Sequence, residues 1–220
     1  MFDINYAINL FPFMLKKLNI TLSISLLSLI FGLIIALIIA FICNCKFKGL
    51  YSLAKIYVSF FRGTPLITQL FFLYFGLPQI IPFFNRVNGF TIAIIGLSLN
   101  SGAYMSEAIR GAISSIDKGQ MEASLSVGMS YFQAMRRIIM PQAARVAIPT
   151  LFNSFINIIK GTALTFTIGV TEVMATAKME GASSYRYFEA FANVIIIYWI
   201  VVQLFSFIQQ KIEIKMSKAY

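Results

Sequence analysis

The stretch ITLSISLLSLIFGLIIALIIAFIC, from Ile20 to Cys43, holds no charged residue. It is longer than the roughly 20 apolar residues that cross a hydrocarbon core as a helix. It is also far longer than an ordinary strand of about 5–6 residues. No water in lipid can satisfy an open backbone, so such a run is predicted to be a membrane-spanning helix. Lys16 and Lys17 ahead of it imitate the start of a secretory signal, but the run exceeds a signal's apolar region and has no small-residue cleavage site. It is expected to remain as a span.

Outward from this run, the same criterion gives four more spans: about 57–82, interrupted by Arg62 and punctuated by Pro65 and Pro78; 87–109, with Glu107 near its end; 147–170, around Lys160; and 190–210. The expected fold class is therefore all-α, a polytopic membrane bundle of about five helices forming one domain over residues 1–220. Composition agrees, because 59% of residues are hydrophobic and only 12% charged, against about 25% charged in soluble domains. The prolines predict static kinks in the second span. Ser98, Gly102 and Ser106, four apart in the third, form a small-residue stripe suited to close helix packing.

The net charge of +10 forms no basic arm or face for nucleic acid; it is a topology signal. Lys46, Lys48, Lys55, Arg62, Arg110, Lys118, Arg136, Arg137, Arg145, Lys211, Lys215 and Lys218 fall on one side of the five-span arrangement. Lys16, Lys17, Arg86, Lys178 and Arg186 fall on the other, and only Lys160 lies within a span. The positive-inside rule places the N-terminus outside and the C-terminus in the cytoplasm. The absence of histidine removes the commonest general base. Cys43 and Cys45, without further Cys or His partners, cannot close a structural zinc site, so neither catalysis nor a metal is expected on this chain.

The segment 110–146 becomes the one large cytoplasmic loop, and it is patterned. Gly119-Gln-Met-Glu-Ala-Ser-Leu-Ser-Val-Gly128 predicts a short helix ended by a glycine. A second helix over Tyr131–Ile139 is expected to stop at Pro141. This helix, turn, helix unit is suited to fit a groove on a cytoplasmic protein. On the opposite side, 171–189, with Glu172, Lys178, Glu180, Arg186 and Glu189, offers the largest face to an extracytoplasmic partner.

Glu122, Ala123, Gly128, Ile138 and Pro141 resemble, in identity and spacing, the Glu-Ala-Ala loop of ABC importer permeases, with Ser124 in place of the second Ala and Met140 in place of a Leu. The resemblance continues through Phe61-Arg-Gly-Thr-Pro-Leu66, Gln69, Tyr74-Phe-Gly-Leu-Pro78, Ala103-Tyr-Met-Ser-Glu107, Arg110-Gly111, Pro141-Gln-Ala143, Asn153 and Lys160-Gly-Thr-Ala-Leu164. These residues look like the polar amino acid permeases of the histidine, glutamine and arginine type, with Ala163 where that group usually has Ser. The ending, with Lys178-Met179, Tyr187-Phe-Glu189, Tyr198-Trp199 and Met216-Ser-Lys218, looks most like L-cystine permeases.

The resemblance implies a type I importer transmembrane domain in a bacterial cell membrane, paired with a second permease subunit, identical or related. It also implies an ATP-binding subunit dimer held through Glu122, Ala123, Ser124, Gly128 and Pro141, and an extracytoplasmic solute-binding protein. ATP and Mg belong to the partner, since this chain has no Gly-Lys-Ser or Gly-Lys-Thr phosphate loop. Glu107, Lys160, Thr162, Gln69 and Asn153 are candidates for the substrate path of a polar amino acid such as L-cystine, glutamine or arginine. For Glu107 and Lys160 the alternative is pairing with each other or with a neighbouring subunit; for Arg62 it is snorkelling to headgroups rather than gating. Two functions of another class stand beside these: an ion-coupled secondary transporter, which an inverted repeat would favour and none is visible, and a membrane scaffold.

Overall fold

The computed structural model describes residues 3–45 and 47–217, so Lys46 and Lys218 of the charge count lie outside it. Eleven α-helices follow one another, with no strand among the described residues. They are α1 (Ile4–Leu15), α2 (Leu18–Cys45), α3 (Leu50–Gly63), α4 (Leu66–Phe71), α5 (Leu77–Ile80), α6 (Gly89–Ser114), α7 (Lys118–Ser126), α8 (Tyr131–Ala134), α9 (Met140–Gly161), α10 (Val173–Ser184) and α11 (Tyr187–Ser217). By length and composition α2, the stretch Tyr131–Ile168 and α11 are apolar enough to cross a membrane, with a fourth crossing if α3 and the bent stretch 66–80 are one span.

The third expected span, 87–109, overlaps α6 from Gly89 onward, and α6 is long enough to cross but less apolar than α2. The reason is its position: α6 is the central helix, packed against α2 on one side and α9 on the other. Most of its buried residues are small, Ser98, Ser101, Gly102, Ala103 and Ser106 among them. Association inside lipid gains nothing from hiding apolar surface and relies on close van der Waals approach. Gly32 of α2 shows the tightness, since a β-carbon there would stand 2.6 Å from Ser101 Oγ and 2.8 Å from Met105 Cε.

The outer helices invert this pattern. On α2, Leu26, Ile30, Phe31, Ile34, Leu37, Ile38 and Phe41 are exposed, as are Ile195, Trp199, Ile200, Leu204 and Phe207 on α11. So continuous an apolar surface suits acyl chains and would be a liability in water.

One element goes beyond expectation, a proline kink that is a full break, and two differ from it. The second span is two pieces meeting at 109°. The break falls at Thr64 and Pro65, where proline withholds a backbone donor and its predecessor is pushed to an extended conformation; Thr64 has φ −119° and ψ 146°. Pro141 does not stop its helix. A π-helical turn over Met135–Ile139 carries α8 into α9, and Pro141 sits at the first turn of α9, where a missing N–H is tolerated. The N-terminus, read only as a lead-in to the first span, forms the short helix α1, whose Leu10 and Met14 pack on Val173 and Ala177 of α10 and Ala190, Val194 and Ile197 of α11.

Replacing Gly32 by leucine is expected to overpack the α2–α6 contact and cost about 1–3 kcal/mol. The thermal midpoint of the purified protein in detergent would fall, whereas Leu37→Ala on the exposed face of α2 would leave it in place.

Candidate functional site

Helix α9 exposes a row of polar residues where a lipid-facing helix would be apolar. Thr150, Asn153, Asn157 and Lys160 are all exposed and recur at i, i+3, i+7 and i+10, a single helical face. Asn100, Ser101 and Tyr104 of α6 lie across from this face. Together with Thr150, Asn153 and Asn157 they line a cavity of about 430 Å³ whose remaining walls include Leu66, Leu97 and Ile158. The cavity is open and its lining is amide, hydroxyl and aliphatic, with no ionised side chain. Its chemistry suits hydrogen bonding to a polar neutral group; neither a metal nor a charge pair is built into it.

Of the residues singled out from the sequence, Asn153 lines this cavity, and Lys160 is two turns further along the same face, at the end of α9. Lys160 has no ion-pair partner among the described residues. Glu107 is outside the lining, two turns beyond Asn100 on α6. Its carboxylate accepts from Arg110 Nε at 2.9 Å and Nη2 at 2.8 Å, with Arg62 Nη1 at 3.5 Å, so it is not paired with Lys160. Thr162 is fully buried, its hydroxyl donating to the Ile159 carbonyl at 2.7 Å and lying 3.3 Å from the Tyr198 hydroxyl. Asn100, Asn157 and Thr150 were missed; for the last two the period of polar residues in 147–170 was the available signal.

Gln69 holds the broken second span together. Its amide nitrogen lies within donating distance of the carbonyls of Phe61 and Thr64, each at 3.1 Å, and of the Thr64 hydroxyl at 2.8 Å. Asn100 donates to Phe61 O at 3.2 Å and to Gln69 Oε1 at 3.0 Å, while the Thr64 hydroxyl donates to Phe60 O. The terminal carbonyls of α3, which have no intrahelical partner, are thus satisfied by side chains. Asn100 touches both this elbow and the cavity.

In the segment between α6 and α8, Asp117 caps α7 by accepting from the Gly119 N–H. Gly128 ends it in the left-handed region at φ 86°. The Met129 N–H donates to Ser124 O and the Gly128 N–H to Leu125 O, the paired bonds of a Schellman cap. Ser130 and Gln133 then form a capping box for α8. Glu122 and Ala123 face outward while Ser124 is turned in, 6% exposed. Leu125, Val127, Tyr131 and Phe132 project as an apolar knob, Val127 at 79% and Phe132 at 70% exposure. Pro141 is exposed further along the same continuous helix.

At the opposite end, Glu172 corrects the expectation of an exposed charged face over 171–189. It is fully buried and Glu189 nearly so. The Glu172 carboxylate caps α10 through the Ala175 N–H at 2.9 Å and accepts from the Tyr198 hydroxyl at 2.9 Å and from Thr21 at 3.4 Å. Burial raises its pKa above the ordinary 4.5, opposed by the backbone N–H groups of the cap. Glu189 accepts from the Asp3 N–H, and Arg186 pairs with the Asp3 carboxylate, so both tie α1 down. Lys178, Met179, Tyr185 and Phe188 are among the residues that remain exposed.

A family profile described as "Binding-protein-dependent transport system inner membrane component" matches residues 28–218. The chain is 53% identical over 219 residues to a probable amino-acid ABC transporter permease protein, PatM, of Vibrio harveyi, a match covering 100% of this chain and 98% of that protein. It is 40% identical over 175 residues to the L-cystine transport system permease protein TcyB of Bacillus subtilis, covering 79% and 73% of the two chains. A crystal structure of an amino acid ABC transporter with histidines superposes with a TM-score of 0.92 at 33% identity, covering 98% of this chain and 99% of that one.

Glu172→Ala would leave the Tyr198 hydroxyl and the Ala175 N–H without their acceptor in a buried site, at about 1–3 kcal/mol for each, whereas Glu172→Gln preserves the shape. A raised acid pKa means that the folded state binds the proton more tightly, so this group's contribution to stability falls as pH rises from about 4.5 through the raised value. The thermal midpoint of the native protein, relative to that of Glu172→Gln, is expected to decline over that range.

Proposed function

Because the chain belongs to the binding-protein-dependent transport system inner membrane components and is an amino-acid ABC transporter permease subunit, we propose that its α9 face forms half of the path for a neutral polar amino acid, L-cystine foremost. The observation that carries this is the exposed row Thr150, Asn153, Asn157 and Lys160 in a helix otherwise fit for lipid. Unpaired amides and an ammonium at membrane depth are costly, and such groups face a water-filled cavity or another protein. A second permease subunit, identical or related, set against this face closes the path. The substrate's ammonium and carboxylate are met by the hydroxyls and amides of Asn100, Tyr104, Asn153 and Asn157, and Lys160 draws the carboxylate to one end.

The cavity lining argues for a neutral side chain. A cationic one such as arginine's would call for a carboxylate, and Glu107, two turns beyond Asn100, is absent from the lining and engaged by two arginines. The similarity to a relative named for L-cystine transport, added to the likeness of the chain's ending, favours cystine over glutamine.

ATP with Mg is bound and hydrolysed on a separate ATP-binding subunit, docked on the knob formed by Leu125, Val127, Tyr131 and Phe132, with Glu122 and Ala123 at its edge. The π turn and Pro141 leave one unbroken helix from this knob to the cavity. Movement of the docked subunit is therefore transmitted along this helix, past Pro149 in its interior, to Asn153 and Asn157, and nucleotide binding shifts the path between two states. The five-span arrangement with the knob in the cytoplasm, and a solute-binding protein on the α10 side, complete the assembly.

Cells carrying this chain are expected to take up labelled L-cystine, with unlabelled arginine a poor competitor; cystine uptake unchanged on its deletion, with glutamine or arginine uptake lost, would reassign the substrate. Phe132→Asp, on an exposed side chain, is expected to reduce co-purification of the ATP-binding subunit at least about tenfold, the scale of a buried aromatic anchor, without lowering the thermal midpoint of the chain.

A further inference from the structure

At the end of the bundle that carries α7, a groove of about 760 Å³ runs between α3 and α6, floored by Cys43 and Asn44 at the end of α2. One wall is the row Lys55, Ser59 and Arg62, at i, i+4 and i+7 of α3; the other is Glu107, Arg110 and Ser114 of α6. This groove shares no lining residue with the cavity described above; the two adjoin where the Arg62 guanidinium lies 5.6 Å from the centre of the Tyr104 ring. Three cations and one carboxylate leave it net positive. Glu107 spreads its charge over Arg62 and Arg110, and Lys55 has no carboxylate partner among the described residues, its ammonium lying 4.7 Å from the centre of the Tyr51 ring.

We infer that this groove binds the headgroup of an anionic phospholipid. Depth supports it: the floor is the last turn of α2, Arg110 lies in the last two turns of α6 and Lys55 in the second turn of α3, which starts at Leu50, positions from which long basic side chains reach the headgroup level. The adjoining surface supports it too. On the neighbouring flank of α3, Leu53, Ile56 and Phe60 are 64%, 64% and 52% exposed, an apolar lane beside the basic one. The phosphodiester bridges Lys55 and the outward N–H groups of Arg110, while an acyl chain lies along Leu53, Ile56 and Phe60. A free phosphate would use the cations and leave that lane unoccupied.

Native mass spectrometry of the detergent-purified transporter, titrated with phosphatidylglycerol and with phosphatidylcholine, tests this. The native chain is expected to retain phosphatidylglycerol preferentially, with retention falling about fivefold for each cation neutralised in Lys55→Gln and in Lys55→Gln/Arg110→Gln. Lys55→Arg should restore it, and Lys178→Gln, at the other end of the bundle, should change nothing. Lys55 makes no ion pair among the described residues, so the single variant reports binding rather than folding. Equal retention of phosphatidylcholine, or undiminished retention in the double variant, would overturn the proposal. Displacement of the lipid by millimolar inorganic phosphate would reassign the groove to a free anion. Loss of the ATP-binding subunit with lipid retained would reassign it to a protein contact.

Discussion

Lipid offers no hydrogen bonds, and most of this structure follows from that constraint. Every interruption of a helix inside the bundle must bring its own partners for the backbone groups it frees. The elbow between α3 and α4 does so with Gln69, Asn100 and Thr64, which together answer the carbonyls of Phe60, Phe61 and Thr64. The turn into α10 does so with Glu172. On α9 a whole face of polar side chains, Thr150, Asn153, Asn157 and Lys160, is exposed on a helix apolar enough to cross a membrane. The same economy that caps the elbow makes that face a place where water, substrate or a partner subunit must sit.

This constraint also orders the packing. With no solvent to expel between helices, α2 and α6 hold each other by proximity, which Gly32 and the small residues of α6 permit. The large apolar side chains of α2 and α11 point away from the protein. Asn100 sits where elbow, central helix and cavity meet, so a rearrangement of the α3–α4 elbow and a change in cavity shape are coupled through one amide.

Much of the bundle was legible in the sequence because the uncharged runs are long, and a run such as 20–43 admits a single structure in lipid. The short helix α7 and its glycine were legible for a local reason: only a left-handed residue completes the Schellman cap at Gly128. What escaped was nonlocal. Pro141 reads as a stop by its missing N–H, but the π turn before it supplies a first-turn position where that loss is harmless. Gln69 and Thr162 carry family-like identity, and nothing in one dimension reveals that their polar atoms are consumed by backbone carbonyls and by Tyr198. Glu172 reads as a surface charge and is buried because it caps a helix against Tyr198 and Thr21. The polar period of α9 was present in the sequence, overshadowed by the single charge of Lys160.

The most direct measurement is solvent access to the α9 face in the assembled transporter. With Cys43 and Cys45 replaced by serine, Asn153→Cys, Asn157→Cys and Ile195→Cys would be exposed in membranes to a water-soluble, membrane-impermeant thiol reagent. The account predicts that the two α9 positions react, at rates that change when ATP is trapped on the partner subunit, while position 195 on the lipid face stays unmodified. If positions 153 and 157 prove as inert as 195 in every nucleotide state, the polar face of α9 does not line a path.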